Sequence, residues 1–222
     1  MAGLRLDGLA HRTLAPVDLV LDAGERVFVS GPSGSGKSLL LRAIADLDPH
    51  QGEVWLDIEP RSRMAPPVWR RRVGLLPAES FWWAETVGEH FPAIQTSGTL
   101  SAEKMGAFHS DHPTHRDQIN GWLAGLGFEP DVLDWSVTRL STGERQRLAL
   151  VRLLAQRPEA LLLDEATANL DPVNRDRVET LVETYRREQD AAVLWVSHDP
   201  EQRRRLGGRA FVICNGRLEP ET

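Results

Sequence analysis

The octapeptide GPSGSGKS, Gly31 to Ser38, constrains this chain more than any other stretch of it. It matches the spacing G-x-x-x-x-G-K-[ST]. It lies between RVFVS, which reads as a strand, and KSLLLRAIADL, whose apolar positions recur at helical spacing. Each part of the motif has a chemical reason. The glycines let the backbone curve tightly enough for several N–H groups to converge on phosphate oxygens. Lys37 supplies a compact charge on a slender stem, and Ser38 a hydroxyl suited to a hard divalent cation. The chain holds 24 arginines and only two lysines, Lys37 and Lys104, so a lysine kept at this place implies that a guanidinium would not serve. A strand, a phosphate-gripping turn and a helix in this order require an α/β architecture.

The remaining pattern fits that requirement. VDLVLDAGERVFVSG alternates and then runs continuously apolar, with DAGE as a turn; GEVWLDI reads as a strand, EPRSRMAPP as a proline-broken loop, and Val73–Leu76 as a strand closed by Pro77. From about residue 81 to 137 the character changes: Trp, His and Gly are scattered, Gln95 to Thr114 is polar, and HRDQINGWLAGLGF reads as one helix. Strand-like runs return at EALLLDE and AAVLWVSH, with helices DPVNRDRVETLVETYRREQ and DPEQRRRL. The expected organisation is a single domain over 1–222. Its core, about 1–80 and 138–222, holds a mixed sheet with antiparallel strands near the N-terminus; a helical subdomain covers about 81–137.

Chemistry gathers at three further places. In LSTGERQRLAL, Leu140 to Leu150, a Ser and a Gly lead into an amphipathic run, which is how a helix start that holds an anion is built. In ALLLDEATANLD an apolar strand delivers Asp164 and Glu165 at its carboxyl end, where ligands sit in open α/β sheets. Asp164 suits a magnesium partner, and Glu165 suits polarising a water for attack on a γ-phosphate. VLWVSHD ends another buried strand at His198, which in the same sheet would reach that phosphate.

These motifs, in this order, make the chain resemble the ATP-binding cassette ATPases, the nucleotide-binding subunits of ABC transporters, over nearly its whole length. GPSGSGKS is similar to the family's Walker A, LSTGE to its signature, LLLDE to its Walker B with the catalytic Glu, ANLD to its D-loop and SHD to its switch His. The resemblance implies a P-loop NTPase core that binds ATP with Mg2+. The nucleotide-binding residues would be Gly31, Pro32, Ser33, Gly34, Ser35, Gly36, Lys37, Ser38 and Leu39. Lys37, Glu165 and His198 would be catalytic, Ser38 and Asp164 metal ligands, and Asp171 the D-loop residue. It also gives a reason for two anion-binding turns in one chain: Ser141, Thr142, Gly143 and Glu144 of one subunit would close over ATP held by a second copy, head to tail. The implied partners are that second copy and an integral membrane permease, which would hold the chain at the cytoplasmic face. REQDAAVLWVSHD further resembles the small iron-export ATPases of the family.

Two features depart from the family pattern. Its usual glutamine after a strand such as VGLLP is replaced by Ala78, followed by Glu79. A methyl group can neither bind a metal nor accept a hydrogen bond, and a one-residue shift in an extended segment turns the side chain to the other face. Loss of the contact is therefore favoured over substitution by Glu79, with slow basal turnover as the consequence. The first strands also lack the aromatic that often stacks on adenine; His11 or Arg12 could take that place, or both could be simply exposed.

Composition closes off other classes. A formal net charge of −6 and a pI near 5.7 do not suit a nucleic-acid binder. One cysteine, Cys214, permits no internal disulfide and reads as a small buried hydrophobe in AFVIC. No window approaches the length of a membrane span. The pair Trp82–Trp83 is expected to place at least one ring in the core and to offer a partner helix any ring left outside; the triplets Arg70–Arg72 and Arg203–Arg205 read as solvated faces. Two other function classes stay open: a cassette ATPase that moves no solute, and a nucleotide-binding regulatory module of low turnover.

Overall fold

The structure, a computed structural model, describes residues 3–11, 13–91 and 115–221. They group into two compact units: residues 1–78, 156–168 and 182–222 in one, and 79–155 with 169–181 in the other. The division made from composition put the LSTGE helix with the core; contacts group it with the second unit.

The first unit carries two sheets. The smaller is antiparallel, with β1 (Leu4–His11) between β2 (Leu14–Leu21) and β4 (Gln51–Leu56), and the short β5 (Glu59–Pro60) at its edge. The larger contains β3 (Arg26–Ser30), β6 (Val73–Leu76), β7 (Ala160–Asp164), β8 (Ala192–Val196), β9 (Arg209–Cys214) and β10 (Arg217–Pro220) in the order β10-β9-β3-β8-β7-β6. β9, β3, β8, β7 and β6 are parallel and only β10 is antiparallel. Every residue of β7 and β8 is buried, as expected for strands covered on both faces. Helix α1 (Lys37–Ile44) buries Leu40, Leu41, Ala43 and Ile44 in a core shared with Leu4, Leu6, Val27, Val29 and Leu162. Parallel pairing aligns the carboxyl ends of β3, β7 and β8, and the loops that follow them carry GPSGSGKS, DEAT and SHD.

One helix of this unit begins inside the stretch expected as a proline-broken loop. Pro66–Arg72 forms α2, with Pro66 and Pro67 in its first turn, where their missing N–H groups are unneeded and their fixed φ suits a helix. Its Trp69 is fully buried and donates from Nε1 to the Ile44 carbonyl at 2.9 Å. Of the arginine triplets, Arg70, Arg71, Arg204 and Arg205 are exposed, as the sequence implies, and Arg72 and Arg203 are half-buried. Arg72 is held between Glu59 and Glu159, and Arg203 pairs with Glu221. Cys214 is half-buried rather than buried.

The second unit contains α3 (His115–Gly125), α4 (Thr142–Leu154) and the first part of α5 (Pro172–Gln189). Arg147 of α4 is buried; it donates to the Leu126 carbonyl at 2.6 Å and lies over the Phe128 ring. His90 is also buried. Its Nε2 accepts from the Trp83 and Ala84 amides at 3.0 and 3.1 Å, and its Nδ1 donates to the Thr86 carbonyl at 3.0 Å. Trp82 and Trp83 stand edge-on to that imidazole, and Arg152 lies over both rings. Trp82 is half-buried and Trp83 is 68 % exposed, so neither ring enters the core, contrary to expectation, and Trp83 is the ring left outside. The residues from 92 to 114, including Lys104, lie outside the described residues, as does Arg12.

Candidate functional site

The loop after β3 is shaped by backbone that only glycine adopts easily. Gly31, Gly34 and Gly36 have φ of 137°, 77° and 107°. A Cβ on Gly31 would sit 2.6 Å from the Ile213 carbonyl oxygen, and one on Gly36 would sit 2.9 Å from Leu14 Cδ2. Pro32, Ser33 and Gly34 are exposed at the rim, while the Leu39 side chain packs on the core. The Ser35 hydroxyl is buried without a protein partner. Lys37 is buried and curls back to donate to the Gly31 and Pro32 carbonyls, both at 2.9 Å. Burial lowers its pKa, opposed by the charges of Glu165 and Asp164.

Ser38, at the start of α1, donates to Asp164 Oδ2 at 2.6 Å. Asp164 closes β7 and is 7 % exposed. Burial raises its pKa; the Ser38 hydrogen bond opposes this, and the Glu165 charge adds to it. Glu165 has a φ of 50°, in the left-handed region, which for a residue other than glycine costs about 1–3 kcal/mol. Its amide still completes the ladder by donating to the Val196 carbonyl at 3.1 Å. The turn aims its carboxylate at His198, with Oε1 3.1 Å from Nε2, and both side chains remain partly exposed. Lys37, Ser38, Asp164, Glu165 and His198, far apart in sequence, are thus brought together.

His11 is placed differently from the expectation of a stacking ring. It is 4 % exposed, and its Nδ1 donates to the Pro49 carbonyl at 2.5 Å. The cause is local. β1 alternates correctly through Leu4 and Leu6, then slips at Gly8, whose φ is 59°, and the pairing shifts register there. A one-residue slip exchanges the two faces, so Leu9 and His11 point inward. Ala78 and Glu79 are both exposed.

In the second unit, Ser141 caps α4. Its hydroxyl oxygen accepts from the Glu144 amide at 3.2 Å, while its own amide and hydroxyl each donate to Glu144 Oε2 at 2.8 Å. This reciprocal capping box follows from Ser and Glu three residues apart. Thr142 is exposed and Gly143 half-buried; a Cβ on Gly143 would approach Leu170 Cδ2 to 3.1 Å. Asp171 opens α5: its carboxylate accepts from the Asn174 amide at 3.0 Å and the Asn174 side chain at 2.6 Å. The sequence reading missed a buried group next to the first site, Thr167, Ser197 and Gln202: the first two lie inside DEATANLD and VLWVSHD without a role assigned, and no motif marks Gln202.

A family model described as ABC transporter matches residues 14–168, which span the loop, the LSTGE helix and DEAT. The chain belongs to the ABC transporter family. It is an ATP-binding subunit of that family, a P-loop ATP hydrolase coupled to transport. It is 32 % identical to the probable iron export ATP-binding protein FetA of Escherichia coli K12, covering 86 % of this chain and 80 % of that one. It is 34 % identical to the thiamine import ATP-binding protein ThiQ of the same organism, covering 95 % and 86 %. Among solved structures it is similar to a dimeric ATP-binding cassette in a post-hydrolysis state bound to ADP and Pi. That match has a TM-score of 0.78 and 25 % identity, covering 100 % of this chain and 98 % of the other. The two named relatives serve export and import, so what this cassette shares with them is ATP-driven transport. No helix among the described residues is long and apolar enough to cross a membrane.

Proposed function

We propose that the loop Gly31–Ser38 holds the phosphates of ATP, with Lys37 leaving the Gly31 and Pro32 carbonyls to meet them. The observation that carries this is the Ser38–Asp164 pair at 2.6 Å, set at the base of that loop beside the Glu165–His198 pair at 3.1 Å. Ser38 and Asp164 are hard oxygen donors, few in number. That suits Mg2+, which is held by one or two protein oxygens together with substrate phosphate. These two residues would hold it, and it would neutralise phosphate charge. Glu165 would orient and polarise the attacking water, and His198 would contact the γ-phosphate while bonded to Glu165. His11, buried against Pro49, would border the nucleotide rather than stack on it. Ala78 would leave the usual contact of the family's glutamine unmade.

The α4 start would act in trans on the nucleotide of a second copy, and the pair would drive a membrane permease from the cytoplasmic side. Two facts support this: the two anion-binding turns belong to different compact units, and the chain is similar to a cassette solved as a dimer. Mixing Ser141→Arg with Glu165→Gln subunits tests it. In a head-to-tail heterodimer one site takes its loop and Glu165 from the first subunit and its Ser141 from the second, so both are intact. Each variant alone is expected to be inactive, and the mixture to regain ATP hydrolysis. A mixture as inactive as its components at every ratio refutes the trans arrangement.

A further inference from the structure

Gln202 is almost completely buried, 1 % exposed, on the short helix α6 (Pro200–Leu206). Both ends of its amide are used. Oε1 accepts the Ser197 hydroxyl proton at 2.5 Å, and Nε2 donates to Thr167 Oγ1 at 2.8 Å. Ser197 and Thr167 are themselves buried. Ser197 immediately precedes His198, and Thr167 lies two residues after Glu165. A single side chain therefore ties the turn after β7 to the turn after β8.

The tie begins where the sheet stops helping. Ladder pairing between β7 and β8 runs up to the Glu165 amide on the Val196 carbonyl; the Ser197 amide still donates to the Val29 carbonyl of β3 at 3.1 Å, and beyond these bonds the two segments diverge from the sheet. α6 is fixed to the His198 turn at several points. The Asp199 carboxylate accepts from the Glu201 and Gln202 amides at 2.9 and 3.1 Å. The Asp199 amide donates to Ser197 Oγ at 3.1 Å, and Arg203 donates to the Ser197 carbonyl at 3.0 Å. Gln202 passes this anchorage across to Thr167. A primary amide suits the place because it offers an acceptor to one hydroxyl and a donor to the other, and an apolar side chain would leave both unanswered in a dry environment.

We propose that Gln202 is a positioning residue for ATP hydrolysis: its amide locks the two turns so that the Glu165 carboxylate and the His198 imidazole stay in register with each other. The proposal rests on the roles given above to Glu165 and His198.

The test is steady-state hydrolysis of Mg-ATP by the full chain carrying Gln202→Met or Thr167→Val. It is run with an ATP titration, below each variant's measured melting temperature. Gln202→Met removes both hydrogen bonds at nearly constant length; Thr167→Val removes one with little change of shape and decides the matter if Gln202→Met does not fold. Small misplacements of catalytic groups cost up to about a hundredfold in rate, so kcat is expected to fall about ten- to a hundredfold with the KM for ATP unchanged. A residue that serves only stability would lower the melting temperature and leave kcat alone. A kcat within about twofold of wild type in folded variants, or a change confined to KM, overturns the proposal. Glu165→Gln and His198→Ala are measured alongside. If both retain turnover, the underlying reading and the proposal fail together. If both lose it while the Gln202 and Thr167 variants keep it, the proposal alone fails.

Discussion

The two turns proposed to bind anions, Gly31–Ser38 and Ser141–Glu144, are built on opposite plans. At Gly31–Ser38 the backbone is contorted, with three glycines at positive φ, and the cation is stored against neutral carbonyls of the same loop. At Ser141–Glu144 the backbone is an ordinary helix start, and a carboxylate of the same helix already occupies the donors. On the proposed reading, a phosphate arriving at the loop replaces dipoles around Lys37. One arriving at the α4 start must displace a charge from Ser141. On that reading the labour is divided: the loop would supply affinity by itself, while the α4 start would admit only an anion that outcompetes Glu144. Similar motif chemistry, small residues at a helix start, would thus serve two purposes according to what the side chains around it do.

The largest expected effect tests the first half of that contrast. Lys37→Ala should weaken ATP binding by about a hundredfold or more, near 3 kcal/mol, as expected for losing a charged hydrogen bond to phosphate in a partly dry site. Lys37→Arg should recover little of it, because a planar guanidinium does not fit a loop that holds the ammonium between two carbonyls. Thermal stability should change little, since the carbonyls released can turn to water. Equilibrium binding of ATP, read with a melting curve, checks this. An affinity within a few-fold of wild type would mean that the backbone alone supplies the grip, and the contrast would break.

The asymmetry between the turns was partly legible in the sequence. The loop was, because its chemistry is local: glycines, one lysine and one serine within eight residues, between a strand and a helix. The carboxylates and His198 were legible for the same reason, each at the end of a continuous apolar strand. The places that escaped depend on something non-local. The start of helix α2 falls in an expected loop because two prolines look like a break, yet at the first turn they favour a helix that Trp69 anchors in the core. His11 was read as a surface ring because nothing in LRLDGLAH announces the slip at Gly8 that turns it inward. Gln202 and Thr167 lie 35 positions apart and meet only because β7 and β8 are neighbours in the sheet.

A smaller effect is expected where the chain passes from one unit to the other, at Ala78–Glu79. Both residues are exposed, so a longer side chain at position 78 meets no steric bar from its own burial. Ala78→Gln restores an amide able to contact water or metal, and ATPase turnover should rise by a few-fold, on the order of what one net hydrogen bond of about 1 kcal/mol supplies in the transition state. Steady-state phosphate release at saturating Mg-ATP measures it. Turnover unchanged by Ala78→Gln would show that the contact is not what limits this cassette.

The smallest effect addresses the second half of the contrast, whether Glu144 holds the α4 start as an anion. Burial works to raise its pKa, but hydrogen bonds from the Ser141 amide and hydroxyl, with Arg147 and Arg139 nearby, outweigh it and leave the carboxyl below its ordinary value of 4.5. A depressed folded-state pKa adds stability that is fully present above the unfolded value and is lost as pH falls through the lower, folded one. Glu144→Gln keeps an acceptor for the Ser141 donors but removes the charge. The wild type should therefore be more stable than Glu144→Gln at neutral pH, by no more than about 0.5–1 kcal/mol once solvent screening at this partly exposed helix start is allowed for. Urea unfolding followed from neutral pH down through 4.5 should show that gap closing in the acid range. A gap that stays constant with pH would mean the hydrogen bonds matter and the charge does not. The Glu144 carboxylate would then gain no charge stabilisation from its place in the fold, and a phosphate would displace it from Ser141 at little electrostatic cost.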